Sequence, residues 1–259
     1  MGHERVGFLP KSRTWRTIVA DVGKTAAGES DVAAVATETL RAVRHRYEHI
    51  HEDGGVRAAF EFLVGLSNVS LRGAAEGPWS DLPIDLTTNP SAFALAKELR
   101  TWIAGRVESR EIGEIATRAA TDVIVRWQAE HQRQNPLFPA ADVGIVWSQA
   151  ASGAGFSEVA RLFFSSFTER YLKYFLEREA SSVLPSFEQR DQFSRDLATH
   201  VDAVSRHAFE TSKITQSFAA GWFNKHAHGA RPSDRRVESF LRVAFGKLRE
   251  ELAREGRAK

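Results

Sequence analysis

Apolar residues along this chain recur with the spacing of helices almost from end to end. Trp15, Ile18, Val19 and Val22 follow i, i+3, i+4, i+7, and Gly23 and Gly28 bracket the end of that first helix. Ser30 is placed to cap a second helix, with Val32, Ala36, Leu40, Val43, Tyr47 and Ile50 on one stripe up to the stop at Gly54-Gly55. A third, more apolar helix is predicted from about Val56 to Asn68 through Phe60, Leu63 and Val64. Residues 72–89 are irregular, with Pro78, Trp79 and Pro83 among turn formers. Asn89-Pro90 then reads as a cap followed by proline at the first helical position, opening a helix with Phe93, Leu95, Leu99, Trp102 and Ile103. Another runs from about Ser109 to Arg133, with Ile112, Ile115, Ala119, Val123 and Trp127 inward.

Asn135-Pro136 and Pro139 mark the best internal boundary, and the second half is helical too. Ser157 is expected to open a long helix with a main stripe of Phe156, Ala160, Phe163, Phe164, Phe167, Tyr171 and Tyr174. Leu162, Leu172 and Leu176 lie on its other side, and a helix apolar on two sides is usually sandwiched between neighbours. Ser186-x-x-Gln189 is a capping box for the next helix, which extends, broken or unbroken, to about His226. Gly229 and Pro232 end it. A last amphipathic helix carries Val237, Phe240, Leu241, Ala244, Phe245, Leu248 and Leu252. No period-2 strand and no fixed repeat is evident. The expected fold is an all-α bundle of roughly eight to ten helices, either one domain or two lobes over 1–134 and 140–259.

Composition narrows the class. The chain has 259 residues, 42% hydrophobic and 26% charged, which suits a globular protein with a sizeable core. The absence of cysteine excludes disulfides, thiolate catalysis and Cys-ligated metal, and it fits a reducing cytoplasm. The N-terminus lacks the apolar run of a signal peptide and has Val6 where a myristoylation signal wants Ser or Thr. Apolar runs such as 123–125 and 162–164 are too short to cross a bilayer, so a cytoplasmic chain without a membrane partner is expected. Arg outnumbers Lys by 27 to 8 beside abundant Ala, a bias that looks like GC-rich bacterial coding.

Charge is unevenly spread. Residues 225–259 hold ten Lys and Arg against five Asp and Glu, a local +5 in a chain whose total is +2, which leaves −3 elsewhere. Such a segment suits an acidic partner or a nucleic acid, although basic residues also favour the last turns of helices. Within and beside it, Trp222, Phe223, Asn224 and Lys225 sit next to the basic run Arg231, Arg235 and Arg236. Aromatics interleaved with cations stack bases and contact phosphates, or anchor protein interfaces.

Four other patterns carry possible chemistry. His45-Arg46-Tyr47-Glu48-His49 resembles, in these five residues only, the zinc-binding H-x-x-E-H signature of the inverted zincin peptidases. That resemblance implies His45 and His49 as metal ligands and Glu48 as general base, together with a distal Glu ligand and an α/β architecture. On a helical wheel the three fall about 140–240° from Val43, opposite the apolar stripe, which is where a solvated face with alternating charges would also put them.

Asp196, His200 and His207 lie at the edge of the buried face of their helix and are candidate acid/base groups. The two histidines are about 10 Å apart along the axis, too far to share one metal from that helix alone. Val22-Gly23-Lys24-Thr25 looks like the tail of a phosphate-binding loop, but Ile18 stands where the first glycine belongs. Ala151-Ser152-Gly153-Ala154-Gly155 precedes a helix start and would suit an anion.

The sequence thus favours a non-enzymatic helical assembly or adaptor protein, without a cofactor. It would bind a protein partner or its own copy through the aromatic and basic C-terminal segment. Nucleic-acid binding by that same segment is the alternative, and a metal-dependent hydrolase built on His45, Glu48 and His49 is a further one. Salt separates the first two, because phosphate contacts weaken steeply with ionic strength and an apolar interface does not.

Overall fold

The computed structural model describes residues 12–72, 77–108, 111–133, 142–210 and 213–255. Eleven α-helices follow one another: α1 (Arg13–Thr25), α2 (Val32–Ala42), α3 (Arg44–Glu48), α4 (Gly54–Arg72), α5 (Ala92–Ala104), α6 (Glu111–Arg133), α7 (Val143–Ser148), α8 (Gly153–Val183), α9 (Phe187–Glu210), α10 (Lys213–His226) and α11 (Asp234–Glu255). No strand occurs among the described residues, and none of their helices is long and apolar enough to cross a membrane. The all-α expectation holds.

Two short helices raise the count. The helix expected to run on to Gly54 breaks at Val43, whose backbone (φ −103°, ψ 14°) leaves helical geometry between α2 and α3. The other is α7, six residues just after the internal boundary.

Helix starts follow hydrogen-bond supply. Ser12, Asp31, Ser91 and Ser152 each accept a backbone N–H of the first turn. Asp31 therefore replaces the expected Ser30, and α8 opens at Gly153, one turn earlier than Ser157. Asn89 does not cap α5; its Oδ1 accepts instead from Val143 N–H, at 2.9 Å, at the start of α7. It takes a left-handed conformation (φ 54°) after a 3-10 turn over Leu86–Thr88, and Ser91 caps α5 instead. The capping box forms as read, with Gln189 N–H donating to Ser186 Oγ at 3.1 Å and Ser186 N–H to Gln189 Oε1 at 3.4 Å.

α8 is the axis of the bundle. It packs against α6, α9, α10 and α1, and touches α2, α4 and α11. Both of its apolar sides are buried: Phe163, Phe164, Phe167 and Tyr171 on one, Leu162, Leu172 and Leu176 on the other. One hydrophobic cluster takes side chains from all eleven helices, on both sides of the boundary at 134–140. At its centre Phe60 of α4 lies within ring contact of Phe156, Phe163, Phe164, Trp222 and Phe240. Where α4 crosses α6, Gly55 and Gly113 allow near-contact of the two backbones. A Cβ on Gly55 would sit 2.5 Å from Gly113 Cα, so no side chain fits there.

Candidate functional site

The C-terminal segment divides into an interior part and an exposed part. Trp222 and Phe223 face inward from α10. Trp222 stacks on Phe156 and Phe240 at 5.9 and 4.5 Å between centroids, and Phe223 lies 4.4 Å from Phe156. Their spacing explains this: Phe218, Ala219, Trp222 and Phe223 recur at i, i+1, i+4, i+5, a burial stripe rather than a surface one. The two rings expected to meet a partner are thus core side chains, and only Asn224 and Lys225 of that quartet are exposed.

Arg231 is committed internally. Its guanidinium donates to both Asp81 carboxylate oxygens at 3.0 and 2.9 Å, and it lies 5.2 and 5.4 Å from the ring centroids of Trp79 and Trp102. Arg106 joins the same carboxylate at 2.6 Å while covering Trp102. Together they strap residues 77–88 to α4, α5 and the turn between α10 and α11. Gly229 (φ 67°) forms the helix stop expected of it and donates its N–H to Asn68 Oδ1 at 2.8 Å. Gly65 makes room beneath the strap, since a Cβ there would lie 2.8 Å from the Trp79 ring.

Beneath Arg231, Glu61 of α4 is buried, and burial together with the nearby Asp234 pushes its carboxyl above the usual range against the pull of Arg231, Arg106 and Arg57. A raised folded-state pKa means stability that is full below the unfolded value near 4.5 and is lost as pH rises through the folded one. Glu61→Gln should therefore be more stable than the parent at pH 7, and the gain should vanish by about pH 4, where the parent is protonated. Urea unfolding at both pH values measures it. A less stable variant at pH 7 would mean that the arginine attraction outweighs burial.

What remains on the surface is cationic. Arg235, Arg236 and Arg242 are exposed on α11, and Lys247, nearer its C-terminus, is half-buried. None of these four forms an ion pair with a carboxylate of the described residues. Lys225 and His228 are exposed close by. His226 lies beside these charges and is kept toward its neutral form, its pKa pushed down by partial burial and then by the charges of Arg236 and Lys225. Arg236 is the last cation of the basic run expected from the sequence. Arg242 was legible as the side of α11 opposite Val237, Leu241, Ala244 and Leu248, and Lys247 as its flank.

The H-x-x-E-H residues lie on α3 and its C-terminal cap, with Tyr47 buried and His45 and His49 outward. Glu48 is held by Arg44 at 2.7 Å and by Arg249 of α11; the hydrogen bond from Arg44, ahead of that from Arg249, keeps its carboxyl below the usual range. His49 Nδ1 sits 2.8 Å from the His45 carbonyl, and the two rings are 4.8 Å apart. Among the described residues no group of three or more His, Asp or Glu side chains is placed to hold a metal ion. What this face builds is an ion-pair link between α3 and α11.

Asp196, His200 and His207 diverge along α9. Asp196 accepts from Gln192 at 2.7 Å on the surface. His200 borders a groove of about 720 Å³ between α9 and the α1–α2 turn, with Asp31, Gln192 and Phe193. His207 reaches α11, at Arg254 and 4.0 Å from Glu251. The glycine turn at 151–155 is closed by its own cap, Gly155 N–H donating to Ser152 Oγ.

One polar cluster escaped the sequence reading. Arg161 of α8 is only 3% exposed; it donates to both Glu158 oxygens at 2.8 and 2.7 Å and to Asp202 of α9 at 2.9 Å. Ser165 and Arg206 also donate to Asp202, at 3.3 and 3.1 Å. Asp202 borders an open groove of about 610 Å³ with Arg126, Glu169 and Arg206. Its signal in the sequence was Glu158, Arg161 and Ser165 at i, i+3, i+7 inside an otherwise apolar helix.

Comparison of the chain with protein-family models, with curated proteins and with solved structures finds no match.

Proposed function

We propose that this chain is a non-enzymatic binding protein of the bacterial cytoplasm. Its working surface is the last turn of α10, the turn that follows, and the outward face of α11. One observation carries the reading. Arg235, Arg236, Arg242 and Lys247 are spread over the outward half of α11 with no ion-pair partner among the described residues, whereas Arg161, Arg170, Arg231 and Arg249 are each tied to a carboxylate. Cations left without internal work, on a helix whose other face is fixed in the core, are available to an acidic partner.

Reversing the four charges in the full chain (R235E, R236E, R242E, K247E) is the test. Surface changes of this kind shift stability by roughly 0.5 kcal/mol or less each, so the fold should persist by circular dichroism while the partner that co-purifies with the parent is lost. A variant that folds and keeps its partner would move the working surface elsewhere.

A further inference from the structure

We infer that the cationic face of α11 takes the phosphate backbone of a nucleic-acid duplex, an inference that rests on the binding role proposed above. The face is a straight, fixed rod. Val237, Phe240, Leu241, Ala244, Phe245 and Leu248 anchor its other side in the core, so the cations are held in register before any ligand arrives. At 1.5 Å per residue, Arg242 lies about 10 Å and Lys247 about 18 Å along the axis from Arg235. A duplex carries one charge per about 1.7 Å of its length, so that span meets several phosphates. Arginine suits the task because its planar fork donates to a phosphate in bidentate fashion. Lys225, exposed on the last turn of α10, adds a further cation near this end. Asp234 and Glu250 are the exposed acids of α11, and Glu238 is turned to Arg57 at 3.5 Å.

What the face lacks sharpens the choice of ligand. The exposed large apolar side chains among the described residues are Phe93, Val125, Ile145 and Phe187, none of them on α10 or α11. Without an exposed ring there is no platform on which single-stranded bases would stack. The described side chains of this face likewise offer no apolar wedge to enter a bilayer. A protein interface ordinarily centres on buried aromatic or aliphatic anchors, and the two aromatics of this segment are spent in the core. Phosphate recognition needs none of these, and it reads no base sequence.

Fluorescence anisotropy of a labelled mixed-sequence 20-base-pair DNA duplex with the full chain tests the inference. Four neutralised phosphates give a slope of about −3.6 in log affinity against log salt, so binding should weaken about 150-fold between 50 and 200 mM salt. R235Q/R236Q/R242Q/K247Q should abolish it, and single-stranded DNA or phosphatidylserine vesicles should bind more weakly than duplex. No duplex binding at 50 mM salt, stronger binding to vesicles, or undiminished binding by the variant would each overturn it. Co-purification with the same variant separates this failure from that of the wider reading. If the duplex is not bound but the variant still sheds a native protein partner, the face is a protein interface and only the duplex inference falls. If the variant sheds nothing, both fall.

Discussion

Replacing Phe60 with alanine should lower the free energy of unfolding by about 3–5 kcal/mol, the range for deleting a fully buried aromatic ring. Phe60 has no exposed surface and touches rings from α8, α10 and α11 at once, stacking on Phe240 at 5.3 Å. The void would open where four helices meet, and α8 cannot move in to fill it without leaving α6 and α9, which pack on its other sides. Urea unfolding followed by tryptophan fluorescence reads the loss, with Trp222 as a reporter beside the site. Should the alanine variant fail to fold, Phe60→Leu keeps most of the volume and should cost about 1–2 kcal/mol. An alanine variant that loses less than about 1 kcal/mol would show that the aromatic cluster is not the centre of the core.

Asp202→Asn should be the next most costly change, by a different mechanism. Arg161 is a charge with almost no contact with water, and Asp202 is one of its two carboxylate partners. Removing one partner of a buried ion pair usually costs about 3–5 kcal/mol, but about 2–3 is expected here because Glu158 still holds Arg161 and Asp202 is itself half-buried. The pH dependence follows from the balance at Asp202. Burial raises its pKa, the hydrogen bonds and charges of Arg161 and Arg206 lower it, and the net direction is down. A depressed carboxylate contributes stability that is present above its unfolded pKa, near 3.8, and is lost as pH falls through the folded value. The gap between parent and Asp202→Asn should hold from pH 7 to about 5 and narrow below about 4. A gap independent of pH would assign the loss to packing.

These two sites differ in how far they could be read without coordinates. Helical periodicity marked Phe60 and both apolar sides of α8, because a buried stripe is a local property of the sequence. The Arg161 cluster needs Asp202, 41 residues away, and only packing of α9 on α8 unites them. Distance along the chain also hid the fate of Arg231. Its partner Asp81 lies 150 residues upstream in the irregular stretch around Trp79, so the same side chain that looked like a free surface cation is a strap. Trp222 and Phe223 were misjudged for a local reason. Their polar neighbours drew attention to the surface, while the spacing from Phe218 and Ala219 already specified burial. Helix ends depended on which side chain wins the first free N–H groups. Asp31 displaced Ser30 in that competition, and Asn89 spent its backbone on a left-handed turn.

The remaining question is where on this surface a partner sits. Arginine-directed covalent labelling of the full chain, read by peptide mass spectrometry, answers it on material carrying its native partner and again after a high-salt wash. The account predicts that Arg235, Arg236 and Arg242 are protected before the wash and reactive after it. Arg100 and Arg195, exposed on other helices, should react equally in both. Protection of those controls with none on α11 would contradict it.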